Sequence, residues 1–460
     1  MKYANQCLVT RAVLITIVPL LTVPLPAMAV KIHGAQAGTN VSLGNNTLTS
    51  VTGNGNTAIG WEALKSNTRG SSNTAIGYEA LDWNTTGNNN TATGHQALAH
   101  NTTGANNTAS GVAALGYNTE GSHNTANGAG ALYANQTGIY NSAIGYKTLS
   151  QNRTGNYNTA IGSEALMENT EGHSNTASGL RALHLNTKGY NNTASGRGAL
   201  LSNTEGHNNT ATGAETLTSN DTGSYNTATG HRTLQANIRG DNNTAIGYGA
   251  GGQNITGSNN VFIGFQAGDS LNYQTKSNKL VVGNGGSKEN ELITGDFAAN
   301  TVNINGDLHA SGNLTQNSDG RLKKDIKPLT HALDAILQLQ GKTYRWKEDT
   351  TFANKADIGL VAQEVEKVFP ELVAEDEQGY KGIAYSKLTA VLIEAMKEQQ
   401  GQMTAQQDQI AVLEKENAQF TDQIASLEKE NTQLKTIMAE QMDALLARVA
   451  MLEGESLAAN

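Results

Sequence analysis

Ser318, Asp319, Arg321 and Lys323 lie in one short block, Ser-Asp-Gly-Arg-Leu-Lys, with a hydroxyl five residues ahead of an amine. A free serine hydroxyl is a poor nucleophile and needs a neighbouring base. A lysine serves as that base once burial or nearby cations lower its pKa from about 10.4, and reaching about 7.5 costs roughly 4 kcal/mol. In an unbroken helix, residues five apart point about 140° away from each other. Ser318 and Lys323 can therefore meet only across a bend or loop. Arg321 is a candidate to help lower the lysine's pKa or to hold an oxyanion. On the short block alone the alternative stands: Ser318-Asp319 opens a turn, and Lys323 and Lys324 are solvated.

The segments around the block must position it. Thr330 is a candidate cap for a helix with Leu333, Ile336 and Leu337 on one face. Thr343-Tyr344-Arg345-Trp346 reads as a strand. The stretch Ile358 to Val365 leads from strand into helix, and Phe369-Pro370-Glu371-Leu372 ends it. Ala384-Tyr385-Ser386-Lys387-Leu388 starts a last helix running through Met396.

From Met403 the tail is heptad-patterned, with Ile410, Leu413, Asn417, Phe420, Ile424, Leu427, Asn431, Leu434 and Met438 on the seam. After Met438 the seam shifts by four residues and continues through Met442, Leu445, Val449 and Leu452, a stutter. Asn417 and Asn431 set register at some cost in stability. The pattern predicts a coiled coil without fixing the number of strands.

Upstream of the block lies a ruler. An Asn opens an Asn-Thr-Ala-x-Gly unit at Asn56 and recurs every 17 residues through Asn260, with no insertion or deletion. Asn141-Ser142-Ala143 and Asn260-Val261-Phe262 are the two departures. A Leu keeps the same period from Leu64 to Leu234, as do a second Asn (Asn67, Asn84, Asn101) and a Gly (Gly70, Gly87, Gly104). Such a period without a helical pattern predicts a β-solenoid with one coil per repeat. Each coil is expected to hold two short strands, Asn-Thr-Ala-x-Gly and the stretch around Ala-Leu, joined by Gly and Asn turns. Stacking makes inner columns of Ala and Leu and ladders of Asn. Thirteen coils at about 4.8 Å give roughly 60 Å of rod. The residue after Ala varies through Ile59, Ile76, Thr93, Ser110, Asn127, Ile144 and Ile161, so that column faces solvent or a partly wet interface. So narrow a coil encloses little apolar volume, and association of chains is the expected source of further burial.

The repeats resemble the head repeats of YadA-type trimeric autotransporter adhesins over about residues 40 to 268. The resemblance implies a parallel left-handed β-roll with three chains side by side. That family's usual step is shorter than 17 residues, and its C-terminal membrane barrel is not seen here. Residues 318 to about 400 resemble the C-terminal intramolecular chaperone of phage endosialidases and other tailspikes, a self-cleaving serine peptidase domain. Four ordered blocks carry the likeness: Ser-Asp-x-Arg-x-Lys; Tyr344-Arg345-Trp346; Ile358 to Val365 with Phe369 to Val373; and Tyr385 to Leu388 with Glu394 to Glu398. The resemblance implies Ser318 as nucleophile, Lys323 as general base, Asp319 and Arg321 as supporting residues, and Asn317–Ser318 as the scissile bond.

The expected class is thus mainly β: a solenoid of 17-residue coils, then a small α+β chaperone domain and a C-terminal coiled coil, assembled as a trimer. The expected domains are a signal peptide at 1–29, the solenoid at 30–268 and a β-rich collar at 269–317. The chaperone and peptidase domain follows at 318–400, and the coiled coil at 401–460. In the collar, Lys279 to Gly283 and Thr301 to Ile304 read as strands, with Asn305-Gly306 as a two-residue turn signal.

The signal reading rests on Lys2 and Arg11, the apolar run from Ala12 to Leu25, and Pro26-Ala27-Met28-Ala29 before the cut. The apolar run is shorter than a membrane span needs. Cys7, the single cysteine, lies inside the 1–29 signal, so the mature chain is expected to carry no disulfide and no membrane span, and to be secreted or displayed at a surface. The net charge is −9, with 13 Lys+Arg against 16 Asp+Glu over 30–317 and 16 against 24 from 318 onward. That balance argues against nucleic acid as a partner. The expected partners are two further copies of the chain and a glycan or protein ligand on a host surface.

No cofactor or metal is expected. His95, His123, His173 and His207 do not share one repeat position, which favours solvated turn residues over a metal ladder. Thr-Ala-Thr steps at Thr91, Thr210 and Thr227 suggest a water-ordering array, but Ile and Ser steps interrupt them. The expected function is a fibre whose chaperone drives trimer folding and is then released by one self-cleavage. An uncleaved stalk is the nearest alternative, and a carbohydrate-degrading tailspike the more distant one.

Overall fold

The computed structural model describes residues 30–33, 39–49, 51–348, 354–376 and 379–457. The signal reading at 1–29 lies outside these residues. The chain divides into two compact units, Met1–His309 and Ala310–Asn460.

In the first unit each repeat contributes one three-residue strand, such as Thr57–Ile59 or Thr108–Ser110. Thirteen of these stack in parallel and in register, Ala58 beside Ala75 beside Ala92, from Thr57–Ile59 to Val261–Ile263. The unit is therefore a parallel β-solenoid. The central residue of each of these strands, Ala in twelve and Phe262 in the last, is buried, whereas Ile59, Ile76, Ile144 and Ile161 point outward, as the mixed composition of their column predicts.

The expected second strand does not form. The Ala-Leu stretch is a turn ribbon in which Glu62 and Leu64 adopt left-handed φ values of 55° and 51°, repeated at Glu79 and Leu81. Successive N–H groups there point in opposite directions along the rod: Glu62 donates back to Asn45 O and Leu64 forward to Ala80 O. The backbone is satisfied coil to coil without strand geometry. A left-handed Leu costs roughly 1–2 kcal/mol. Burying its side chain returns about 1.5–3 kcal/mol, which offsets that cost at each coil.

Two buried Asn ladders line the interior. The Asn67, Asn84 and Asn101 series passes its amides along the rod, with Asn84 Nδ2 2.8 Å from Asn67 Oδ1, and each also donates to a Gly carbonyl of its own coil. The strand-opening Asn residues receive the next coil's N–H at Oδ1, as Asn73 N to Asn56 Oδ1 at 2.9 Å, and donate to the next turn's Gly carbonyl. The Asn67 series ends at Asn254, whose buried Oδ1 lacks a partner. Each Gly of the Ala-x-Gly step is fixed by its neighbour: at Gly77 (φ 138°) a Cβ would lie 2.4 Å from Gly94 O.

The last two coils exchange volume between columns. Gly251 and Gly268 replace the inner Leu, and Phe262 replaces the inner Ala. The Phe262 ring lies 2.5 and 2.3 Å from where their Cβ atoms would stand, filling both gaps.

The 17-residue period ends after Gly268, but parallel stacking continues with a 19-residue step. Lys279–Gly283 adds a further parallel rung, with Lys279 N donating to Asn260 Oδ1 at 2.8 Å. It then pairs antiparallel with Glu291–Asp296, which pairs with Thr301–Ile304. The hairpin turn thus falls between Asp296 and Thr301, not at Asn305-Gly306, and residues 307–310 form no strand. Asp296 caps the true turn by accepting the N–H groups of Ala298 and Ala299.

The second unit has a small core of Ala332, Val365, Phe369, Leu372, Leu388, Val391 and Ala395. Helix α1 (Ala332–Ile336) is not capped by Thr330. Glu398 supplies the cap from 65 residues away, accepting the N–H of Leu333 at 2.7 Å, and Leu337 is left exposed. Lys342–Arg345 pairs with Ala356–Gly359, and α2 (Ala362–Val368) follows. A hairpin of Val373–Glu375 and Lys381–Ile383, unforeseen in the sequence, precedes the last helix.

That helix, α3, runs unbroken from Tyr385 to Leu457, 73 residues, so the expected helix and coiled coil are one element. Residues 397–402 are mostly good helix formers, and Gly401 alone costs only about 1 kcal/mol. The seam residues Ile410, Leu413, Phe420, Ile424, Leu427 and Leu434 are all exposed. Among the described residues no helix is long and apolar enough to cross a membrane.

Candidate self-cleavage site

Residues 307–331 are exposed throughout. Within them the chain makes one tight feature, a 3-10 turn at Gly320–Leu322. Asp319 organises it: Oδ1 accepts the backbone N–H of Arg321 at 2.9 Å, and the carboxylate takes three further contacts from the Arg321 guanidinium, Nη2–Oδ2 being 2.6 Å. The turn closes with Lys323 N donating to Gly320 O at 3.1 Å. The Arg321 guanidinium, and then the Arg321 N–H, hold the Asp319 carboxyl below its ordinary range.

The turn, with extended residues on either side, brings together what a helix would separate. Lys323 Nζ donates to Ser318 Oγ at 2.7 Å. Arg321 is directed to Asp319, not to the hydroxyl, which places it in the turn's framework. Both Ser318 and Lys323 are open to solvent in the single chain.

Further contacts were not legible locally. Gln316 Nε2 donates to Ser386 Oγ at 3.1 Å, across 70 residues. Tyr385 Oη accepts the N–H of Leu360 at 3.0 Å, and Lys387 Nζ reaches Glu371 O at 3.4 Å. No spacing rule predicts such contacts; only the ordered blocks marked Tyr385, Ser386 and Lys387 as belonging with the rest.

His95, His123, His173 and His207 stand in ring stacks. His95 lies on Tyr78, His123 on Tyr140, and Tyr190 sits between His173 and His207. Thr91 and Thr93 face outward on the strand side, and Thr93 shares its column with Ile144 and Ile161.

Residues 318–374, a stretch that opens on Ser318, match the family described as the chaperone of endosialidase, Peptidase_S74. That family implies a self-cleaving intramolecular chaperone for this part of the chain.

The chain is also similar to long tail fiber protein Gp37 of Salmonella phage S16, 33% identical over 138 residues, which are 27% of this chain and 18% of that protein. A second relative is Gp37 of Enterobacteria phage T2, 36% identical over 126 residues, 24% of this chain and 9% of the relative. The chain thus spans less than a fifth of the length of these curated relatives. It is, in part, tail-fibre-like.

Proposed function

We propose that the chain is a trimeric fibre whose solenoid is the lasting product and whose C-terminal region is an intramolecular chaperone, removed by one self-cleavage at Asn317–Ser318. The observation that carries this reading is the 2.7 Å approach of Lys323 Nζ to Ser318 Oγ at the first residue of the chaperone match. In the reaction, a neutral Lys323 amine takes the Ser318 Oγ proton, and Oγ attacks the Asn317 carbonyl carbon. The Asn317–Ser318 amide bond breaks, its nitrogen collecting the proton from Lys323. The chain is then held by an ester between the Asn317 acyl group and Ser318 Oγ. One water hydrolyses that ester, leaving a carboxylate on Asn317, and a free hydroxyl and α-amine on Ser318.

A lysine in open water is protonated and cannot accept a proton. The proposed reaction therefore calls for burial of the pair, which disfavours the charged form of a lysine. Assembly supplies that burial. Leu314, Leu322 and Ile326 flank the pair as exposed apolar side chains. The apolar seam of α3 is uncovered in one chain, and two further copies in parallel would cover it. Cleavage thus follows trimerisation, which makes the chaperone disposable only after its work is done.

The rod is read as a YadA-like head that meets a host-surface ligand, exported by the signal at 1–29. A virion-borne fibre is the second reading, favoured by the likeness to phage long tail fiber proteins. The test of the core proposal is a denaturing gel of wild type beside Ser318→Ala and Lys323→Ala. Wild type should run as two pieces and both variants as one, with cutting slowed at least about 10²-fold. Equal full-length bands in all three would leave an uncleaved stalk.

A further inference from the structure

We propose that Ser386, in the first turn of α3, is a positioning residue for the cut: it latches Gln316 and makes cleavage depend on a seated α3. The inference rests on the proposed reaction at Asn317–Ser318. Among the described residues 310–330, the hydrogen bonds that reach beyond the segment are those of Gln316 with Ser386. Gln316 Nε2 donates to Ser386 Oγ at 3.1 Å, and the hydroxyl stands 3.3 Å from Gln316 Oε1. The Asn317 carbonyl therefore lies between two fixed points. Upstream is the Gln316 side chain, held by Ser386; downstream is Ser318, held by Lys323 at 2.7 Å. Restricting both sides of a reacting bond restricts the attack geometry, and a misplacement of about 1 Å can cost 10²-fold in rate.

The latch cannot form ahead of the domain. Tyr385 Oη receives the Leu360 N–H, Lys387 Nζ reaches the Glu371 carbonyl, and Leu388 is buried against Phe369 and Leu372 in the small core. Tyr385, Lys387 and Leu388, the neighbours of Ser386 in this turn, thus dock on segments that follow the cut, while Ser386 turns to the segment before it. A chain whose α3 start is not seated leaves Gln316 without its partner.

The experiment follows self-cleavage of the full chain over time, with oligomeric state measured on the same samples. Ser386→Ala should assemble as wild type does but cut roughly 10- to 100-fold more slowly. Ser386→Thr, which keeps the hydroxyl, should restore most of the rate. Gln316→Ala should match Ser386→Ala, and the double variant should be no slower than either single one, because both remove one contact. The pH profile of the residual cleavage should keep its wild-type midpoint, since Ser386 carries no proton in the reaction. Ser386→Ala cutting at the wild-type rate, or rate losses that multiply in the double variant, would overturn the latch. Should Ser386→Ala fail to assemble, Gln316→Ala, outside the helix, decides alone: wild-type cutting overturns the proposal. A wild-type chain that stays whole overturns the reaction itself, and the latch with it.

Discussion

The resemblance carried by the four ordered blocks, not the short block alone, marked Ser318 and Lys323 as a pair, and their spacing added only the need for a bend between them. Asp319 as the organiser of that bend, and Arg321 as its counter-ion, needed coordinates, because Ser-Asp-Gly-Arg is equally compatible with an open, solvated loop. Ser386 was beyond local reasoning, since its contact with Gln316 spans 70 residues. Charge placement at single residues also sets a pH dependence. Asp296 is lowered to about 2, first by its hydrogen bond from Lys279 and then by the turn N–H groups it accepts. A carboxyl whose folded value lies below its unfolded value of about 3.9 stabilises fully above that value and loses the effect as pH falls toward 2. Acid titration should therefore loosen the Glu291–Asp296 and Thr301–Ile304 hairpin between about pH 4 and 2. In Asp296→Asn that step should vanish from amide-exchange or NMR titration of the hairpin. A titration unchanged by the substitution would refute the assignment.

A single coil cannot stand alone, and its stability lies in what passes to the next. Asn141 illustrates it: its amide serves Gly155 O at 2.8 Å, and its Oδ1 takes the N–H of Asn158 at 3.0 Å. Asn141→Ala leaves both buried groups unmatched, at about 1–3 kcal/mol each, so the denaturant midpoint should drop by an amount worth roughly 2–5 kcal/mol. Asn127→Ala, on the exposed strand position, should stay within about 0.5 kcal/mol. Equal losses would mean that the ladder is not what holds the coils. Gly251→Leu should likewise destabilise, because the restored Leu meets the Phe262 ring already occupying its place. The period, the inner Ala and Leu columns and the Asn ladders were all readable, since repetition at 17 residues forces identical contacts in every coil. The missing second strand was not, because Ala-Leu carries ordinary strand-compatible residues and nothing in its letters signals a left-handed Leu. The collar turn was misread for a related reason. Asn305-Gly306 is the stronger local signal, but pairing of Glu291–Asp296 with Lys279–Gly283 fixes the register elsewhere.

At the scale of the whole molecule, the long helix and the exposed cut segment pose one problem with one solution. Both carry apolar side chains that a single chain leaves in water, and partner copies would cover both. Parallel pairing is slow because separate segments must meet before contacts reward them, and pairing of α3 between copies would remove much of that search. Deleting 401–460 before folding should therefore send most of the rod into the insoluble fraction. The same segment lost after assembly should leave the rod soluble, with unchanged thermal resistance; equal solubility in both cases would deny the segment a chaperone role.

The central claim is the cut, and the intact mass of purified, assembled protein tests it most directly. Self-cleavage should give two species whose masses meet between Asn317 and Ser318, and Ser318→Ala a single full-length species. A whole wild-type chain, or the same two fragments from Ser318→Ala, would contradict it.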